Sequence, residues 1–63
     1  MNISEYERDN LHIALGKVAE AKRFLVNTAA ISDDVDLVSS VDAITDDLSE
    51  VETSLLIILS RED

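Results

Sequence analysis

The second half of the chain carries a regular line of aliphatic residues, which predicts a helix with one apolar stripe. Its members are spaced four and three residues apart, the spacing that packed helices use along their contact line. Asp, Glu, Ser and Thr fill most of the positions between them. The members are Leu37, Val41, Ile44, Leu48, Val51, Leu55 and Ile58. A stripe of this kind needs another apolar surface against it, so the pattern predicts helix–helix packing.

The first half carries a matching line of apolar and small residues. If the two helices form an antiparallel hairpin that turns near residue 32, facing residues have numbers with a nearly constant sum. The facing pairs are Leu11 with Leu55, Val18 with Leu48 and Leu25 with Val41, which sum to 66, and Ala14 with Val51, Ala21 with Ile44 and Thr28 with Leu37, which sum to 65. Two independently read lines therefore agree on an all-α, antiparallel two-helix hairpin with these residues and Ile58 as its core.

Capping signals set the ends of the two helices. Ser4 followed by Glu7 fits a capping box, in which each side chain bonds the backbone amide of the other residue. Ser32 or Asp33 can cap the second helix, and the acids that follow suit its N-terminus. The alternative is a single bent helix. The predicted elements of the single domain 1–63 are a helix over 5–30, a turn over 31–33 and a helix over 34–60.

The hairpin is expected to need a second layer. A hairpin is one helix thick, so each stripe keeps one flank in water unless another hairpin covers it. The chain has only 63 residues and no cysteine, so neither a large core nor a disulfide supplies the missing stability. We therefore predict a homodimer that forms a four-helix bundle.

A second set of apolar residues lies away from the main stripes. One line runs along the first helix roughly opposite its stripe, and the end of the second helix is apolar on all sides. We interpret both as partner or dimer contacts; scattered surface residues are the alternative. The residues are Tyr6, Ile13, Phe24, Ile31, Leu56, Ile57 and Leu59.

The net charge of -9 is concentrated in the second half of the chain. Acids and bases balance over residues 1–31, whereas residues 32–63 carry ten acids against Arg61 alone. Such a surface repels phosphate, so direct nucleic-acid binding is not expected. The acids either solubilise the helix or face a protein partner with a basic surface, as a decoy of nucleic acid would.

No residue pattern indicates catalysis, a cofactor or a metal. His12 is the only histidine and has no cysteine to share a metal with. The acids at Asp33, Asp34 and Asp36 lack the glycine and distal glutamate of a calcium loop. The serines have no general base beside them. No apolar run is long enough to cross a membrane and no signal peptide opens the chain, so we expect a cytoplasmic protein that is not an enzyme.

The predicted architecture resembles that of the plasmid copy-number Rop proteins. They are equally short two-helix chains that dimerise into four-helix bundles with mixed small and large layers. The resemblance implies the same fold. It does not extend to RNA binding, because Lys17, Lys22 and Arg23 are too few and do not line up as a basic helix face.

In length and overall character the whole chain also resembles the short early proteins encoded between the exonuclease and excisionase genes of lambdoid bacteriophages. This resemblance implies an early regulator that influences host physiology and the choice between lysis and lysogeny by binding host or phage proteins. Three functions follow as hypotheses: a helical protein–protein interaction module, an acidic decoy of nucleic acid, and a purely structural dimerisation module.

Overall fold

The computed structural model describes residues 2–61, which form two α-helices packed against each other as a hairpin, with no strand among them. Helix α1 spans Glu5–Ile31 and helix α2 spans Val35–Ser60. The Cα atoms extend over 47 × 15 × 10 Å, so the hairpin is a plank one helix thick. The predicted all-α hairpin is confirmed.

Helix α1 begins at the capping box that the sequence predicts. The Ser4 amide donates to Oε1 of Glu7 at 2.7 Å, and the Glu7 amide donates to Oγ of Ser4 at 3.1 Å. Two amides that lack helical partners are thereby satisfied. The helix continues to Ile31, one residue beyond the predicted end, and Ser32 then adopts an extended backbone.

The connection between the helices is a three-residue turn, which rules out a single bent helix. Oδ1 of Asp34 accepts hydrogen bonds from the amides of Asp36 and Leu37 at 3.0 and 3.2 Å. Asp34 is therefore the N-cap, in place of Ser32 or Asp33, and α2 begins at Val35 instead of residue 34. The hydroxyl of Ser32 instead accepts a hydrogen bond from the Asp34 amide at 3.1 Å, which supports the turn.

The line of α2 that the hairpin covers is displaced by one position from the predicted line. The half-buried or buried residues along this contact line are Val38, Val41, Thr45, Leu48, Glu52, Leu55 and Leu59, and their counterparts on α1 are Leu11, Leu15, Val18, Lys22, Leu25 and Ala29. Leu37, Ile44 and Val51 are 43, 47 and 44 % exposed, and Ala21 is exposed as well. Placing these four residues in the core of the single hairpin was wrong.

The displacement follows from the width of the apolar stripe. The prediction took the middle of the stripe on α2 as the contact line, but one neighbouring helix covers only one flank of a stripe this wide. The covered flank includes Thr45, whose hydroxyl donates to the Val41 carbonyl at 2.9 Å, and Glu52, which pairs with Lys22. Two polar side chains are thus accommodated in the groove, and the more apolar flank stays outside.

The turn centred on Asp33 places residues whose numbers sum to about 66 at the same level of the two helices. Nζ of Lys22 lies 2.6 Å from Oε1 of Glu52, although these numbers sum to 74. Side chains lean towards the N-terminus of their own helix, so on antiparallel helices the two side chains lean towards each other. They then meet near the level of Val18 and Leu48, the predicted mid-hairpin pair.

The hairpin has almost no interior of its own. Among residues 2–61 only Val41 is buried, with 5 % of its surface exposed, and the rest of the contact line is half-buried. A structure this thin buries a smaller share of its apolar surface than globular domains do. Much of the apolar surface of α1 and α2 is therefore left exposed, and a partner molecule could cover it.

Candidate interaction surface

One side of the hairpin is apolar along most of its length, and we call it the open face. On α2 it carries large aliphatic residues, and on α1 it carries small ones, each set repeating every seven residues. Its members are Leu37, Ile44, Val51 and Ile58 of α2 and Ala14, Ala21 and Thr28 of α1; Ile58, Ala14 and Thr28 are half-buried, and the other four are exposed. The three larger aliphatic residues nearest the turn are close to half exposed, so this surface is available to another molecule.

Helical geometry places both sets on the same side of the hairpin. An α-helix turns by about 100° per residue, so each set lies roughly 70° before the contact line of its own helix. Because the two helices run antiparallel, equal rotations in the same sense turn both sets to the same side. The opposite side is more mixed. It carries His12, Asp42 and Ser49 at the corresponding positions, together with the smaller apolar set Ala19, Val26 and Leu56.

A second apolar line runs along the outer edge of α1, away from α2. Tyr6, Ile13, Phe24 and Ile31 are 75, 59, 58 and 84 % exposed. The guanidinium carbon of Arg23 lies 5.4 Å from the centre of the Phe24 ring, a cation–π distance. The predicted position of this outer line, outside the hairpin contact, agrees with the structure, and its role in contacting a partner stays a prediction.

At the apolar end of α2 some residues are exposed and others pack against α1. Leu56 and Ile57 are 53 and 44 % exposed, and their role in contacting a partner stays a prediction. Leu59 is half-buried and continues the α1–α2 contact line seven residues beyond Glu52. Its interpretation as an outward contact is therefore corrected: Leu59 packs within the hairpin.

The outer side of α2 is a fully accessible acidic surface. Its exposed carboxylates are Asp36, Asp42, Asp46, Asp47 and Glu50. Within α2 only Glu52 forms an ion pair with a lysine. Its partner is Lys22, and both side chains are about three-quarters buried in the groove between the helices. The acidic surface lies next to the open face and does not interrupt it.

Among residues 2–61, the carboxyl group of Glu7 has a shifted pKa. Hydrogen bonds from the backbone and then the side chain of Ser4 lower the pKa of Glu7, because they favour the ionised carboxylate. This group belongs to the helix cap and lies at the end of the hairpin remote from the turn. Its shift marks structural capping and carries no indication of catalysis.

The described helices also show how little of this surface is suited to binding an ion or a small molecule. Within residues 2–61 no group of three or more His, Cys, Asp or Glu side chains is placed to hold a metal ion. A shallow groove at Gly16, Ala19, Glu20 and Arg23 is lined by α1 alone. Neither α1 nor α2 is long and apolar enough to cross a membrane.

Sequence reasoning missed the ion pair between Lys22 and Glu52. The sequence does contain a signal for this ion pair. Lys22 lies seven residues after Leu15, and Thr45 and Glu52 follow Val38 at intervals of seven, so all three continue heptad lines that also carry apolar residues. Charges of opposite sign at such positions on two helices are typical of a contact between neighbours in a bundle. This pattern of charges identifies the flank of each apolar stripe that faces the other helix of the hairpin.

Comparisons with models of known protein families, with curated protein sequences and with solved structures find no match to this chain.

Proposed function

We propose that this chain is a small acidic helical protein–protein interaction module, which associates with itself through the open face and presents the outer line of α1 to a protein partner. The observation that carries the proposal is the open face itself. Leu37, Ile44 and Val51 repeat along one side of a hairpin in which only Val41 is buried among the described residues. Continuous exposed apolar surface of this kind is typical of association sites.

Self-association would complete a four-helix bundle. A second hairpin on the open face gives every helix a neighbour on both flanks of its stripe, which is how short helical chains usually bury enough apolar surface. The resemblance to early proteins of lambdoid phages adds a regulatory role in the host cytoplasm to this proposal. The partner on the outer line is then a host or phage protein.

Sedimentation equilibrium between about 1 and 100 μM tests the association. We expect roughly twice the chain mass of 6.9 kDa, and a melting temperature that rises with protein concentration. Added salt should strengthen the dimer, because it screens the repulsion between two chains that each carry a charge of -9. A folded monomer at every concentration would refute the proposal.

The exposed acids of α2 favour a second candidate, an acidic decoy that occupies the basic site of a nucleic-acid-binding protein. Asp42, Asp46, Asp47 and Glu50 share the accessible outer side of the helix. Salt separates this function from the first. A decoy loses its partner steeply as salt rises, whereas an apolar contact through Phe24 and its line does not. A stable dimer that captures no partner at either salt concentration would favour a purely structural module.

A further inference from the structure

We infer that the open face is occupied by a second copy of this chain. In the dimer, α1 of each copy lies over α2 of the other, and the two copies are related by a two-fold axis parallel to the helices. This inference rests on the proposed self-association and adds the arrangement of the two copies. In this arrangement the large residues that α2 contributes to the open face pack against the small residues that α1 of the other copy contributes. Two observations carry it, the sizes of the facing residues and the charges along the edges.

The register fixes which residues meet in this arrangement. A two-fold axis parallel to the helices leaves each residue at its own height, so residues that are level within one hairpin are also level between copies. Their numbers then sum to about 66, in keeping with a turn centred on Asp33. The facing pairs across the open face are Ile44 with Ala21, Val51 with Ala14 and Leu37 with Thr28.

Each of these pairs sets a large aliphatic side chain against a small one. Core layers pack well when large and small residues alternate across facing positions. Ile44, Val51, Leu37 and Ala21 are also the residues that the single hairpin leaves exposed. The pairing that the sequence predicts within one chain is therefore satisfied between two chains.

Charge at the edges of the open face favours the same arrangement. Lys17 on α1 and Asp47 on α2 are both exposed and lie roughly 120° before the contact line of their helix, at the outer rim of the open face. The α1-over-α2 arrangement brings the rim that carries Lys17 of each copy alongside the rim that carries Asp47 of the other, at heights that differ by about two residues. Rims of opposite charge then border the interface on both sides.

The other two-fold arrangement lacks both features. With the axis perpendicular to the helices, α1 lies over α1 and α2 over α2. Large residues then face large ones, small residues face small ones, and the acidic rim with Asp47 meets its own copy. Like charges in proximity oppose association. The chain as folded therefore selects the first arrangement on size and on charge.

Disulfide trapping tests the arrangement directly, because the chain has no cysteine and each variant carries only the one introduced. We expect an equimolar mixture of the Ala21→Cys and Ile44→Cys chains to oxidise mainly to the mixed dimer, identified by mass on a non-reducing gel. The control is Ala19→Cys mixed with Ile44→Cys. Ala19 is also an exposed alanine of α1 but faces the side opposite the open face.

The trapping result can overturn the inference in three ways. Predominant Ile44→Cys homodimers would show α2 lying over α2. Trapping of Ala19→Cys as fast as Ala21→Cys would place the interface elsewhere. A chain that sediments as a dimer but gives no mixed disulfide would also reject the arrangement while leaving self-association intact. A monomer at every concentration would reject both.

A charge exchange supplies a second test at exposed positions, where misfolding is not expected. Lys17→Glu and Asp47→Lys should each weaken the dimer by roughly two- to tenfold in dissociation constant, and the chain with both changes should recover the original affinity. The controls are Arg23→Glu and Glu50→Lys, which make the same charge changes on exposed positions away from the rim. Single variants that behave like their controls would overturn the inference.

Discussion

At the scale of single residues, the polar groups of this chain act mainly on its helix ends and its groove. Ser4 and Glu7 satisfy amides at the start of α1, and Asp34 does so at the start of α2. Lys22 and Glu52 meet in the groove between the helices. The caps follow from local spacing and could be predicted. The ion pair depends on the flank that the neighbouring helix covers, which spacing alone leaves open.

The capping box should make stability depend on pH in the acidic range. The folded pKa of Glu7 is lowered, so its contribution is fully present above the unfolded pKa and is lost as pH falls through the folded pKa. The difference in unfolding free energy between the natural chain and Glu7→Ala should therefore shrink on acidification. Circular dichroism during urea unfolding at fixed protein concentration measures it. A difference that stays constant with pH would contradict this account.

The Lys22–Glu52 pair should contribute a measurable coupling. Both side chains are about three-quarters buried, so their attraction is screened less than at an open surface. A double-mutant cycle with Lys22→Met and Glu52→Gln should give a coupling of about 0.5–1 kcal/mol, since each change keeps the side chain similar in size. Additive losses would mean that the pair contributes nothing to the stability of the hairpin.

At the scale of elements, the two helices and their antiparallel packing follow from the sequence because heptad spacing, caps and the turn all agree. The phase of α2 does not follow so directly. Its apolar stripe includes both flanks, and only tertiary packing decides that Val38 and Thr45 face α1 while Leu37 and Ile44 face outwards. Residues shared by the predicted and observed lines, such as Leu48, could be placed from the sequence.

Leu48 tests the phase of α2. It lies on the contact line near the middle of the hairpin, so Leu48→Ala should lower the unfolding free energy by about 2–5 kcal/mol. Asp42→Ala, on the exposed polar side of the same helix, should change it by less than about 0.5 kcal/mol. Urea unfolding of both variants at one protein concentration compares them. Similar losses would mean that the helical phase described here is incorrect.

At the scale of the whole molecule, the main feature is a plank with unequal sides. The open face is largely apolar, the opposite side is mixed, and the acids occupy the outer side of α2. The sequence predicts that a second layer is needed, because a single hairpin leaves stripes uncovered. The residues that the second layer would cover cannot be read from the sequence alone. They are the flank of each apolar stripe that the neighbouring helix of the same hairpin leaves exposed, and only the packed structure identifies that flank.

Phe24 distinguishes an outer contact site from a structural residue. Its ring is 58 % exposed on the outer line of α1, so Phe24→Ser should retain the helical circular dichroism signal while weakening association with the protein partner, as measured by partner capture. Val26→Ser is the matched control, because Val26 is 54 % exposed on the same helix but faces the side opposite the open face. We expect it to leave association unchanged.

The two other outcomes for Phe24→Ser have different meanings. Loss of helicity would place the ring in a packed core, where a cavity and a buried hydroxyl together cost several kcal/mol. An association unchanged from the natural chain would make the outer line incidental. The acidic side of α2 would then be the surface on which to look for a partner, and reversing Asp46 or Glu50 to lysine would be the next change to measure.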